Sequence, residues 1–150
     1  IECLTDNPQR SVSNIRSLFN KRGGSLGTNG SVAFMFSRKG IITIPKGSLN
    51  IEEFELEMID AGAESMEVQD DSIIVTTAME DFGTVQKKLE QLGIEAENAE
   101  LQRIPLETKT LETNAGVRVL KLIEEFEDDD DVQNVYHNLE VTDEMMEALD

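Results

Sequence analysis

The chain has 150 residues, with 31 acidic against 13 basic side chains and a formal net charge of −18. That balance excludes a protein gripping nucleic acid over its whole surface, because such binders neutralise phosphates with excess Lys and Arg. Its apolar runs are too short to span a bilayer, and no charged-then-apolar leader opens it. A single cysteine, Cys3, has no internal disulfide partner, which suits a reducing cytoplasm.

Residues 1–4 are predicted as a short apolar strand. The chain starts at Ile1 without Met, inside that strand, and so reads as a fragment or processed form. Asn7 and Pro8 are the N-cap and first residue of a predicted helix with the stripe Val12, Ile15, Leu18 and Phe19. Gly23 and Gly24 end it, and a glycine-rich loop runs to Gly30. Alternation over 31–38 predicts a strand with Phe34 and Phe36 facing the core. A second strand over 41–44 ends at Pro45, placing Arg38, Lys39 and Gly40 at a hairpin tip.

Asn50 with Glu53 forms a predicted capping box for a helix bearing Ile51, Phe54 and Met58. Strands over 64–69 and 72–77 flank a turn at Asp70 and Asp71. Thr77 with Glu80 is a second predicted capping box, opening a helix with Phe82, Val85, Leu89 and Leu92 inward. An acidic strand over 94–104 closes at Pro105. A helix over 112–127 then buries Ala115, Val119, Leu122, Ile123 and Phe126. A strand over 132–137 and a short helix over 142–149, capped by Thr142, complete the chain.

The fold class expected is α+β with two small domains. The outer elements, 1–46 and 105–150, spell β-α-β-β-α-β, the split ferredoxin-like order, as one discontinuous domain. The block 47–104, α-β-β-α-β, is inserted in it. Charge follows the same division. Residues 1–46 carry seven basic and two acidic side chains, 47–104 three and fifteen, and 105–150 three and fourteen. One face can therefore meet an anion while the rest repels it.

The glycine loop is the most unusual local feature. It lacks the Gly-Lys-Ser/Thr of a phosphate-binding loop, and a strand follows it where a dinucleotide-binding turn needs a helix. One reading is a plain flexible connection. The other is a tip flanked by Lys21, Arg22, Arg38 and Lys39 that lies along a phosphate backbone. The four-Asp run at 128–131 fails the calcium-loop pattern, since its sixth position is Gln133, and is expected as a solvated helix stop. His137 and Cys3 are too few for a structural zinc site and lack an orienting third group for nucleophilic catalysis. Tyr136, or the phenylalanines if exposed, would offer faces for base stacking.

Several stretches carry a family resemblance: 23–36 (GGSLGTNGSVAFMF), 1–7 (IECLTDN), 61–64 (AGAE) and 130–138 (DDVQNVYHN). In their order along the chain they resemble the YebC/PmpR family, whose relatives include the mitochondrial translational activator of cytochrome c oxidase. The resemblance covers nearly the whole chain and implies the second and third domains, with a basic three-helix N-terminal domain missing. It implies a non-enzymatic, cytoplasmic regulator of gene expression without cofactor or metal. The family's members are described as transcriptional regulators binding promoter DNA, or as translation factors helping ribosomes through proline-rich stretches. No helix-turn-helix with a basic recognition helix is visible in this chain. The expected partner is nucleic acid, promoter DNA or ribosomal RNA, reached mainly through the missing domain, and no membrane. The residues expected to contribute here are Arg10, Arg16, Lys21, Arg22, Arg38 and Lys39 as phosphate contacts, with Gly24, Gly27 and Gly30 allowing close approach. An alternative is a protein-interaction module in which the acidic block 47–104 meets a basic surface.

Overall fold

A computed structural model describes residues 1–149. In chain order its elements are β1 (Glu2–Cys3), α1 (Pro8–Lys21), β2 (Phe36–Pro45), α2 (Ile51–Asp60), β3 (Ala63–Val68) and β4 (Ser72–Ala78). There follow α3 (Phe82–Gln91), β5 (Asn98–Pro105), α4 (Thr113–Glu127), β6 (Val132–Asn134) and α5 (Asp143–Leu149). The architecture is α+β. The chain divides into two compact units, residues 1–36 with those from 105 onward, and residues 37–104.

The second unit holds the β-α-β-β-α-β order. Its strands form one sheet in the order β3-β4-β2-β5, with β2–β4 and β3–β4 antiparallel. Thr43 O accepts from Glu97 N–H, and at the other end of the pair Met35 O accepts from Leu106 N–H, so β2 and β5 are also antiparallel. Alternation decides the buried face. Ile42 and Ile44 of β2 and Ile73, Val75 and Thr77 of β4 are fully buried. Phe54 and Met58 of α2 and Val85 and Leu89 of α3 close over the aliphatic residues. Burying each such side chain is worth about 1.5–3 kcal/mol. Asn50 Oδ1 accepts from Glu53 N–H, so the predicted N-cap of α2 is formed.

The ferredoxin-like order therefore belongs to the inserted unit, whereas the sequence places it in the outer one. Gly40 is the reason. It is expected as a turn residue between two strands, but β2 runs straight through it, and Gly40 pairs with Thr77 across the sheet. A Cβ at Gly40 would collide with the Phe82 ring and Thr77 Oγ1. The glycine marks close approach to a helix end, not a reversal. With one long strand in place of a hairpin, the first division moves from 46/47 to 36/37. The second capping box also fails. Thr77 stays in β4, where its hydroxyl donates to Ala78 O, and a single 3₁₀ turn, Met79–Asp81, leads into α3.

The outer unit packs α1 and α5 against α4. Asn7 Oδ1 accepts from Arg10 N–H at the predicted cap of α1, and Thr142 Oγ1 accepts from Met145 N–H at that of α5. Val117, Leu120, Leu139 and Met145 form one buried cluster. Phe19 meets Phe126 with ring centroids 4.8 Å apart. The helix stripes are rotated from expectation. Ser11 is buried while Val12 is 43% exposed, and α4 buries Gly116, Val117 and Leu120 along with Phe126. The terminal strands are short, with Glu2 opposite Asn134 and Cys3 opposite Val132.

Substituting Gly40→Ala is expected to destabilise the 37–104 unit by about 1–3 kcal/mol, the usual cost of overpacking. Chemical denaturation followed by circular dichroism measures it, and an unchanged midpoint would contradict the close approach.

Candidate nucleic-acid interface

From Asn7 to Ile51 the chain contains no acidic side chain. Within that stretch, residues 20–34 are exposed without a break. Helix α1 ends where Gly24 N–H reaches Phe19 O at 2.8 Å and the chain turns at Gly23, φ 82°. A second turn lies at Gly30, φ 77°, where Ser31 N–H reaches Thr28 O at 3.0 Å. These two glycines occupy the left-handed region that other residues rarely adopt. Gly24 and Gly27 do not. The glycine loop is thus an exposed arm without charge of its own, following the basic end of α1.

The predicted phosphate contacts have different fates. Arg10 is held by Asp131: its Nη2 lies 2.8 Å from Oδ1, and its Nε lies 3.1 Å from Oδ2. Asp6 adds a contact at 3.1 Å. Ser11 Oγ donates to Asp131 Oδ2 at 2.7 Å, which explains why a polar residue takes the buried position on α1. Asp131 is only 9% exposed, so the last residue of the four-Asp run is a structural anchor and not part of a solvated stop. The Arg10 guanidinium, and next the Ser11 hydroxyl, hold its carboxyl below the ordinary range, while Asp131 raises Arg10. Arg22 pairs with Glu125, whose carboxyl is lowered chiefly by that hydrogen bond. Lys39 pairs with Glu64 in the other unit.

Arg10, Arg22 and Lys39 are therefore framework residues first. Arg16 and Lys21 remain exposed on α1, and Arg38 is exposed on β2, with no ion pair among the described residues. The structure brings Arg16, Lys21 and the glycine arm into one unit and leaves Arg38 and Lys39 in the other.

Phe34 reverses its expected place. A 3₁₀ turn, Ala33–Met35, replaces the predicted strand there, and the ring is 77% exposed. Phe34, Met35, Leu106, Lys109 and Asn138 are among the residues lining a groove of about 570 Å³. Backbone bonds clamp its floor, Lys109 N–H to Asn138 O at 2.6 Å and Glu140 N–H to Lys109 O at 2.9 Å. The missed signal was Gly30 itself, which breaks the extended run just before the alternation begins.

Cys3 and His137 are not placed opposite each other. His137 Nδ1 accepts from Leu139 N–H at 3.1 Å, and Cys3 lies opposite Val132, not His137. Desolvation, helped by Asp129 and Asp131 and opposed by the α-amino group, pushes the Cys3 thiol up and away from thiolate reactivity. Among the described residues no group of three His, Cys, Asp or Glu could hold a metal ion, and no helix is long and apolar enough to cross a membrane.

The arrangement is an α+β, ion-paired framework that presents an exposed, acid-free arm. Residues 1–139 match the family described as the TACO1/YebC second and third domain, and the chain belongs to that family. It is 50% identical over 142 residues to a probable transcriptional regulatory protein of Cytophaga hutchinsonii, covering 95% of this chain and 60% of that one. Proteins of the same description from Geobacillus thermodenitrificans and Pasteurella multocida are 47% and 46% identical, covering 93% and 99% of this chain and 58% and 60% of theirs. The chain thus spans about 60% of the length of these curated relatives. A crystal structure of a conserved hypothetical protein from Aquifex aeolicus superposes with a TM-score of 0.81 at 34% identity, over 94% of this chain and 58% of that one.

The depressed Asp131 and Glu125 carboxyls fix the sign of the pH dependence. Their contribution is full above the unfolded carboxylate pKa, about 4, and is lost as pH falls through the lower folded values. Tyr136, the only tyrosine in a chain without tryptophan, reports the outer unit by fluorescence. Asp131→Asn is expected to lower the melting temperature at pH 7 and to flatten its decline below about pH 4. Parallel acid profiles for parent and variant would refute the Arg10–Asp131 anchor.

Proposed function

We propose that this chain is part of a non-enzymatic regulator of gene expression of the YebC type that acts on nucleic acid. The observation carrying this reading is the acid-free stretch from 7 to 51, with Arg16 and Lys21 exposed on α1, in no ion pair among the described residues, beside a fully exposed glycine arm. Phosphates favour such a surface, and the arm's lack of side-chain bulk permits close backbone approach. The names of the relatives support the regulatory reading, and the portion of those relatives outside this match is expected to share the contact. Cytoplasmic placement accompanies this proposal.

A second reading, a translation factor contacting ribosomal RNA, is favoured by one observation, the 77% exposed Phe34 beside Lys109. Bases inside duplex DNA are already stacked, whereas unpaired RNA bases are free to stack on an aromatic ring.

In the whole protein carrying this chain, Arg16→Glu with Lys21→Glu is expected to weaken nucleic-acid binding and reduce the log–log salt slope by about 2. An unchanged affinity and slope would count against the α1 surface. Phe34→Ala then separates the two readings. Loss of single-stranded RNA binding with duplex binding retained favours the ribosomal one, whereas duplex binding that is unchanged in a variant with no RNA binding to lose favours promoter DNA, whose stacked bases do not use the ring.

A further inference from the structure

The acidic unit has a feature that nucleic-acid binding leaves unused. From Gly47 to Gln86 the chain carries eleven acidic side chains and no Lys, Arg or His. Helix α2 lies in this stretch and is firmly seated, with Phe54 and Met58 buried in the core and Asn50 capping its start. A 3.6-residue period puts Leu56 on the side directly away from Phe54 and Met58, with Ile59 one turn on. Leu56 is 65% exposed and Ile59 51%. Around them on the same outer side stand Glu52, Glu53, Glu55 and Asp60, all exposed.

Two of the unit's cations are engaged beside this ring and not in it. Lys88 pairs with Glu57 at 2.7 Å, on the flank of α2, and Lys39 pairs with Glu64 on β3. The four outer acids form no ion pair among the described residues. An apolar centre inside an unpaired charged rim is the anatomy of a docking surface.

We propose that the outer face of α2 docks a segment of a partner protein whose Lys and Arg side chains surround one or two apolar anchors. Charge decides among the occupants. Nucleic acid would meet four like charges. A second copy placed face to face would set the same acids against each other. A basic segment pairs with Glu52, Glu53, Glu55 and Asp60 while its apolar residue covers Leu56 and Ile59. Long-range attraction speeds the encounter, and the apolar contact fixes the position. The proposal is independent of the nucleic-acid reading, because it uses the other unit and the opposite charge.

The test is a titration of the isotopically labelled chain, followed by NMR, with a synthetic helical peptide that carries two leucines ringed by lysine and arginine. Resonance shifts should concentrate on Ile51–Asp60 and fade with salt. Replacing the peptide leucines by glutamine should weaken binding at least tenfold, and so should Leu56→Gln with Ile59→Gln in the protein. Glu52→Gln with Glu55→Gln and Asp60→Asn should weaken binding and flatten its salt dependence. All these side chains point outward, so circular dichroism and melting should stay at parental values and certify the variants as folded. Shifts spread evenly over the other acidic segments, 70–71 and 127–130, would overturn the proposal. So would a Leu56→Gln, Ile59→Gln variant that binds the peptide like the parent. A dimer by sedimentation that dissociates in that variant would assign the face to self-association instead, and an oligonucleotide that shifts the α2 resonances would assign it to nucleic acid.

Discussion

The outer unit depends on one interaction, the grip of Arg10 and Ser11 on Asp131. These residues are 121 and 120 positions apart in sequence. The carboxylate accepts from both, while Asp131 O receives Leu4 N–H and Asp131 N–H is met by Asp129 Oδ1. One residue thereby fixes the start of α1, the end of β1 and the turn after α4. Desolvation offsets much of the attraction in such a pair, but removing Arg10 leaves Asp131 buried and uncompensated, so both are needed. Here the pair selects which ends of a discontinuous unit meet. Arg22 with Glu125 repeats the device at the other end of α1. Basic residues near the N-terminus thus serve the fold, and only those left over are available to a ligand.

Local signals in the sequence were legible wherever the chemistry was local. Asn7 and Asn50 cap their helices, Thr142 caps the last one, and Asp70 with Asp71 turns β3 into β4. What misled was ambiguity that only long-range packing resolves. A glycine between apolar residues means a turn or a tight contact, and Phe82, forty-two positions on, decides it for Gly40. Thr77 has the spacing of a helix cap, but its pairing with Gly40 keeps it in the sheet. Asp131 looks like its three acidic neighbours until Arg10 and Ser11 are placed beside it. Phe34 alternates like a core residue, yet the strand that would have buried it does not begin until Phe36. The candidate basic residues were identifiable by type, but which of them were committed to carboxylates was not.

The net charge of −18 is an average over two regimes that overlap only at 47–51. The stretch from 7 to 51 has no acid, and the stretch from 47 to 86 has no base. Each regime lies mostly in a different unit, so each can present a surface of its own sign. The total still argues against a uniform grip on phosphate. It leaves room for a short arm that tolerates anions and a helix face that repels them.

The adjacency of β2 and β5 at the edge of the inserted sheet has a consequence for how the chain is made. Left unfolded, the excursion from Ser37 to Ile104 is a long loop that the outer unit must close. Once the insertion folds, its entry and exit lie side by side, and the effective loop shrinks about thirtyfold, a saving of roughly 3 kcal/mol in closure entropy. The outer unit also waits for its larger, C-terminal piece, from Pro105 onward, to be made, whereas the insertion is complete before that. Such a topology lowers the cost of joining the two outer pieces once the middle of the chain has folded.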